Sequence, residues 1–231
     1  MGHDNERVIG VFDSGVGGLC AYYELRRLLP RQDIIYLADR GNAPYGTKSK
    51  DELISLTKKD IKRLSDMGAE RILIACCTAS SVYPFLTRGE KEICLPIITP
   101  AAILASKYQK VLVIATEGTV KLASFSRAIG NFSDTEVLES PRQELVSLVE
   151  TGNRDGHIDE KCAHCLNEIR ILAESFGAQA LILGCTHFSH LENEFKRLLP
   201  NLQIISPARE GAIALAKQIK KKNENGRTVY T

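Results

Sequence analysis

Short apolar runs recur along the chain at 8–12, 34–38, 71–75, 94–99, 111–115, 135–138, 180–184 and 203–205. Runs of this length bounded by turn-forming residues mark buried strands. Between them the period changes. After the glycine-rich turn Asp13-Ser14-Gly15-Val16-Gly17-Gly18, an apolar-periodic segment continues through Leu29. The segment 49–67 carries Leu53, Ile54, Ile61 and Leu64 on one side, as an amphipathic helix does. Helices are also expected over 78–86, 101–107, 144–150, 158–176, 191–199 and 210–221, and the turn at 116–119 leads into one carrying Phe125. A polar loop at 39–47 contains Pro44-Tyr45-Gly46, and the polar segment 223–231 is expected to fray.

Strands alternating with helices predict an α/β protein whose parallel sheets are covered on both faces. The pattern restarts near Thr99-Pro100. The expected organisation is therefore two similar lobes, each a parallel sheet flanked by helices, with the site in the cleft between them. The first lobe is 1–99, joined by 207–231, and the second is 100–206. Gly68-Ala69, an apolar strand and Cys76 recur 109 residues later as Gly177-Ala178, a strand and Cys185. ELRRLLP at 24–30 is echoed by EFKRLLP at 194–200. Helix-turn-strand composition alone produces such echoes; the functional reading is two halves meeting around a shared cleft. Ligands of parallel sheets bind outside the carboxyl ends of the strands, where Asp13, Asp39, Cys76, Thr116 and Cys185 all fall.

Composition narrows the function classes. At 231 residues the chain is one large domain or two small ones, and 44% hydrophobic with 25% charged residues suits a globular protein. A net charge of +2 with both signs interspersed argues against nucleic acid or an anionic membrane as partner. No run approaches the roughly 18 apolar residues of a membrane span, and the opening MGHDNERVIG does not read as a signal peptide. Seven irregularly spaced cysteines are not a disulfide framework. Free thiols point instead to a reducing compartment, the cytoplasm. The sequence permits a homodimer without specifying one.

The chemistry concentrates at Cys76 and Cys185. Each ends an apolar strand, and each is followed closely by Thr: Ala75-Cys76-Cys77-Thr78-Ala79-Ser80 and Gly184-Cys185-Thr186-His187. Unpaired N–H groups at a helix start stabilise a thiolate and lower its pKa, while apolar burial pushes the other way. The expectation is a thiol usable as a base near neutral pH. A strand-end cysteine is also a common buried hydrophobe, but two in matching contexts favour a paired role on one substrate. His187 is placed to assist proton transfer at Cys185. Ser14 and the loop amides could hold a carboxylate or ammonium group, with Asp13 supplying charge, although the loop fits neither a P-loop nor G-x-G-x-x-G. Glu150 by itself suits an exposed helix end. Cys162-Ala163-His164-Cys165 lacks a second ligand pair, and Ile158, Cys162, Cys165, Leu166, Ile169, Leu172, Ala173 and Phe176 follow helical spacing. Those cysteines are thus expected on a core-facing stripe, and no metal site is expected.

Four ordered motifs, Asp13-Ser-Gly-Val-Gly-Gly18, Pro44-Tyr45-Gly46, Ala75-Cys76-x-Thr78-Ala79-Ser80 and Gly184-Cys185-Thr186-His187, resemble those of glutamate racemase, within the cofactor-independent aspartate/glutamate racemases. The resemblance covers roughly residues 9–188. It implies two α/β lobes with a small amino acid between them, no cofactor, and a product that serves bacterial cell-wall (peptidoglycan) synthesis. Cys76 resembles the base for the D-substrate and Cys185 that for the L-substrate, with Asp13, His187 and Glu150 as polar assistants. Ser14, Pro44, Tyr45, Gly46, Thr78, Thr119 and Thr186 resemble substrate-binding positions, and Cys77 stands where the family usually has a substrate-binding Asn. A thiol replaces an amide's good donors and acceptor poorly, and losing such a contact costs about 1–3 kcal/mol of binding. Ser189-His190 also departs from the family's usual Pro-Leu. The expected activity is interconversion of L- and D-glutamate by two opposed thiols. The alternatives are a racemase of another amino acid such as aspartate, and a non-catalytic redox-sensing or ligand-binding protein, suggested by the adjacent Cys76 and Cys77.

Overall fold

A computed structural model describes residues 8–152 and 158–225, with side chains through residue 219. The first lobe comprises β1 (Ile9–Asp13), α1 (Leu19–Leu28), β2 (Ile34–Ala38), α2 (Lys50–Asp66), β3 (Arg71–Ile74), α3 (Cys77–Ser80), α4 (Arg88–Ile93) and β4 (Cys94–Pro96). The second follows with α5 (Ile98–Ala105), β5 (Lys110–Ala115), α6 (Glu117–Lys121), α7 (Ser124–Gly130), β6 (Glu136–Pro141), α8 (Gln143–Glu150), α9 (Glu160–Phe176), β7 (Ala180–Gly184), α10 (Glu192–Leu198) and β8 (Gln203–Ile205). Helix α11 (Pro207–Asn225) comes last; it takes in 223–225, the start of the segment expected to fray, and the rest of that segment lies outside the described residues.

The two sheets have the same topology. The strand orders are β2-β1-β3-β4 and β6-β5-β7-β8, all parallel. Val11 pairs with Leu73 in one sheet as Val113 pairs with Ile182 in the other. The central strands β1 and β7 are buried along their whole length, as expected where helices cover both faces. Phe12, Ile72 and Ile74 pack under α2 in the first lobe, and Leu112, Ile114 and Leu181 pack with Leu145, Ile169 and Phe195 in the second. A third cluster joins the lobes: Val11 and Leu73 from one sheet and Val113 and Ile182 from the other meet Leu25, Ala101 and Leu215. Helix α11 touches α1, α5 and strands of both sheets.

Several local signals decide element ends. Ser49 and Glu52 close a capping box on α2. The Asp159 side chain accepts the Cys162 N–H at 2.8 Å, and Gly177 at φ 71° terminates α9. Other boundaries differ from expectation. The strand expected over 94–99 stops at Pro96, and α5 has already begun at Ile98. The helix expected over 78–86 is one turn, α3, followed by a 3-10 turn at Tyr83–Phe85 where Pro84 cannot continue it. The single helix carrying Phe125 is two, α6 and α7, broken at Ala123 with φ 45°. Helix α4 was not anticipated, although Thr87 and Glu90 form its capping box.

Candidate active site

The carboxyl ends of β1, β3 and β7, the 3-10 turn Tyr45–Thr47 and one face of α8 enclose a cavity of about 240 Å3. Pockets for drug-sized ligands run roughly 300–1,000 Å3, so this one suits a small metabolite. Ser14, Pro44, Tyr45, Gly46, Cys76, Cys77, Thr78, Glu150, Cys185, Thr186 and His187 all lie on its wall. Cys76 comes from the first sheet and Cys185 from the second, so a sulfur from each lobe reaches one space.

Cys76 occupies the N-cap of α3. Its Sγ accepts the Ala79 N–H at 3.5 Å and lies 3.7 Å from Ser14 Oγ. Burial pushes this thiol up to about 11 and the nearby Asp13 carboxylate adds to the shift, while the Ala79 N–H and Ser14 pull down. The helix-start amides are therefore present, as the sequence suggested, but desolvation outweighs them. Cys185 is likewise pushed well above the ordinary thiol range, first by burial and then by the charges of Cys76, Asp13 and Glu150. The expectation of a lowered thiol pKa is corrected in direction: burial raises both thiols and favours their protonated form. Cys77 is buried and raised too, with Cys185 and Cys76 contributing after burial.

Next to each thiol stands a titratable group. His187 Nδ1 lies 3.6 Å from Cys185 Sγ, and its Nε2 lies 3.0 Å from Glu150 Oε1, an ion-pair distance without hydrogen-bond alignment. Asp13 is fully buried beneath the wall rather than on it. The Gly15 N–H donates to its Oδ1 at 2.8 Å, and the Thr186 hydroxyl donates to its Oδ2 at 3.2 Å, a bond that crosses between the lobes. Burial raises the Asp13 carboxyl, against the Gly15 N–H, the neighbouring His187 and Thr186. Gly17 permits this crossing, because a Cβ there would sit 2.5 Å from Thr186 Oγ1.

The remaining expected residues divide into wall and support. Tyr45 Oη lies 2.7 Å from Asp39 Oδ2 and 2.9 Å from Asp60 Oδ2, which anchors the Pro44-Tyr45-Gly46 lip. Thr78 Oγ1 is 3.0 Å from Thr116 Oγ1 and 3.3 Å from Thr119 Oγ1. Thr119 is buried next to the wall, its Oγ1 2.9 Å from Thr116 Oγ1. The sequence reading missed Gly15, Ala43, Thr116, Gln143, Val146 and Ser147 on the wall. Thr116 lies at a strand end, where the sequence alone gives it no role. Gln143, Val146, Ser147 and Glu150 follow i, i+3, i+4, i+7 spacing, the one signal that could have grouped them. Elsewhere, Cys162 and Cys165 lie in the second-lobe core while His164 is exposed beside Glu168.

Comparison with known proteins agrees with this architecture. The family model described as Asp/Glu/hydantoin racemase matches residues 25–215. A glutamate racemase of Limosilactobacillus reuteri is 36% identical over 220 residues, covering 93% of this chain and 81% of the relative. The crystal structure of glutamate racemase from Francisella tularensis in complex with D-glutamate superposes with a TM-score of 0.86 at 31% identity, covering 95% of this chain and 83% of that one. The aspartate racemase of Picrophilus torridus is 17% identical with a TM-score of 0.69, a likeness of fold alone. With that sequence match over most of its length, the chain belongs to the Asp/Glu/hydantoin racemase family.

Proposed function

We propose that the protein is a glutamate racemase, an isomerase that interconverts L- and D-glutamate by proton transfer between two opposed thiols. The observation that carries this reading is the pair Cys76 and Cys185, each from a different lobe and each on the wall of one small cavity. A single base returns a proton to the face it came from, so inversion requires a second group across the stereocentre. In the D-to-L direction Cys76 as thiolate takes the Cα proton, and the Cys185 S–H delivers one to the opposite face. The roles reverse for L-glutamate. Each turnover starts from one thiol and one thiolate and ends with the two exchanged, so the protons balance.

The raised thiols fit this scheme. The donor must stay protonated, and burial ensures that. The acceptor must lose its proton when substrate binds. The substrate ammonium favours thiolate by proximity, and His187 at 3.6 Å is placed to exchange a proton with Cys185. Asp13 acts through neighbours, holding the Thr186 hydroxyl and facing the Cys76 side electrostatically. Hydroxyls of Ser14, Thr78, Thr116 and Thr186 line the proposed substrate space. The proposed division follows the expected lobes, 1–99 with the C-terminal helix and 100–206, shifted by two residues so that α5 stays whole in the second lobe. The proposed setting is the cytoplasm, where reduced thiols persist, with D-glutamate supplied to cell-wall peptidoglycan synthesis.

The test is circular dichroism of amino-acid solutions incubated with the folded enzyme. L- and D-glutamate should each decay to the racemate, with aspartate at least about a hundredfold slower. Loss of rotation in aspartate but not in glutamate would reject the substrate assignment.

A further inference from the structure

Beside the turn that follows Cys185, helix α8 presents Gln143, Val146, Ser147 and Glu150 to the cavity. Gln143 makes no hydrogen bond to the described protein. Its Oε1 is buried without a hydrogen-bond partner on the lip side of the cavity, 2.8 Å from where a Cβ on Gly46 would sit. With the carbonyl on the lip side, the amide nitrogen brings two N–H donors that no protein acceptor uses.

The charge inventory of the wall says what those donors meet. Among the described residues lining the cavity none is Lys or Arg, whereas Glu150 carries a carboxylate and Asp13 lies just beneath. An acidic amino acid brings two carboxylates into this space, so neutral donors must hold both. The Thr78 and Thr116 hydroxyls beside Gln143 are already engaged with each other at 3.0 Å. The Gln143 amide is not engaged.

We propose that Gln143 is a substrate-binding residue whose side-chain amide donates to a carboxylate of the bound amino acid. This rests on the reading of the cavity as a site for an acidic amino acid. The N–H donors of Gln143 then find their acceptor in the substrate, and the side chain helps select a carboxylate-bearing substrate where, among the described residues, the wall holds no Lys or Arg. Gln143 takes no part in proton transfer, so its removal should weaken binding and leave the chemical step nearly intact.

The test measures KM and kcat for L- and D-glutamate in the wild type and in Gln143→Leu, Gln143→Glu and Gln143→Asn, with melting temperatures as a check on folding. In Gln143→Leu, which keeps the bulk and removes the donors, KM should rise about tenfold in both directions with kcat within about threefold. Gln143→Glu, nearly isosteric but anionic, should raise KM further, and Gln143→Asn, which keeps the amide, should recover part of the loss. If Gln143→Leu does not fold, the Glu variant decides on the same criterion. An unchanged KM in a folded variant, or a fall in kcat without a change in KM, overturns the proposal while leaving the racemase intact. A folded wild type that does not turn over glutamate overturns the functional reading, and this inference with it.

Discussion

The thiols of Cys76 and Cys185 are governed by burial more than by the backbone around them. Cys76 has the helix-start N–H contact that should favour thiolate, yet desolvation together with Asp13 raises it to about 11. The sign gives a prediction. A raised thiol supplies less thiolate at neutral pH, and the fraction grows as pH increases toward the raised value. Since kcat/KM reports groups in the free enzyme, it should climb through pH 9, whereas a plateau below pH 8 would show that the thiolate is already formed before substrate arrives. Replacing either sulfur should be severe: Cys76→Ser or Cys185→Ser should lower the racemisation rate about 10²–10⁴-fold, the usual contribution of a positioned acid or base. Equal activity in a folded Ser variant would remove that cysteine from the mechanism. Both sulfurs were legible in the sequence because a strand end followed by small polar residues fixes where a side chain emerges. The direction of their shift was not, because desolvation depends on what covers the thiol from the other lobe. Thr119, a substrate-binding position by the family resemblance, is buried with its hydroxyl beside those of Thr78 and Thr116.

The elements were readable in proportion to their periodicity. Strands β2, β7 and β8 and the long helices α2 and α9 follow the apolar pattern closely. Helices α4, α6 and α7 were harder to read, since five to seven residues contain less than two turns of pattern. Helix α4 had a readable start even so, in Thr87 and Glu90, and the Glu90 N–H donates to Thr87 Oγ1 at 3.3 Å. Thr87→Ala should cost about 0.5–2 kcal/mol of stability in denaturant melts and leave kcat and KM unchanged, because α4 lies away from the cavity wall. An activity loss without a stability loss would contradict that separation. The loop Ser14–Gly18 carries the opposite expectation. Gly17→Ala would place a Cβ 2.5 Å from Thr186 Oγ1, so it should impair activity by displacing the Asp13–Thr186 bond between the lobes. A wild-type rate in that variant would show that the crossing is dispensable.

Two sheets of identical topology face one cavity because the chain repeats a βα plan and then stitches the copies together. The stitch is the shared cluster in which Val11 and Leu73 meet Val113 and Ile182 through Ala101 and Leu215. Repetition of Gly-Ala, strand and Cys was visible in the sequence; the stitch was not, because nothing in a single helix's pattern says that it will touch both sheets. A core common to both lobes predicts one cooperative unfolding transition. Leu215→Ala, at a fully buried position, should lower stability by about 2–5 kcal/mol without splitting that transition, and two separated melts would argue for lobes that fold independently. The arrangement also makes the central claim directly measurable. In D2O, L-glutamate should give D-glutamate labelled at Cα from the first turnovers, while the remaining L-glutamate stays nearly unlabelled, because the proton removed by one sulfur is not the one returned by the other. Label appearing equally in both enantiomers from the outset would mean a single base working on both faces, and would contradict the account.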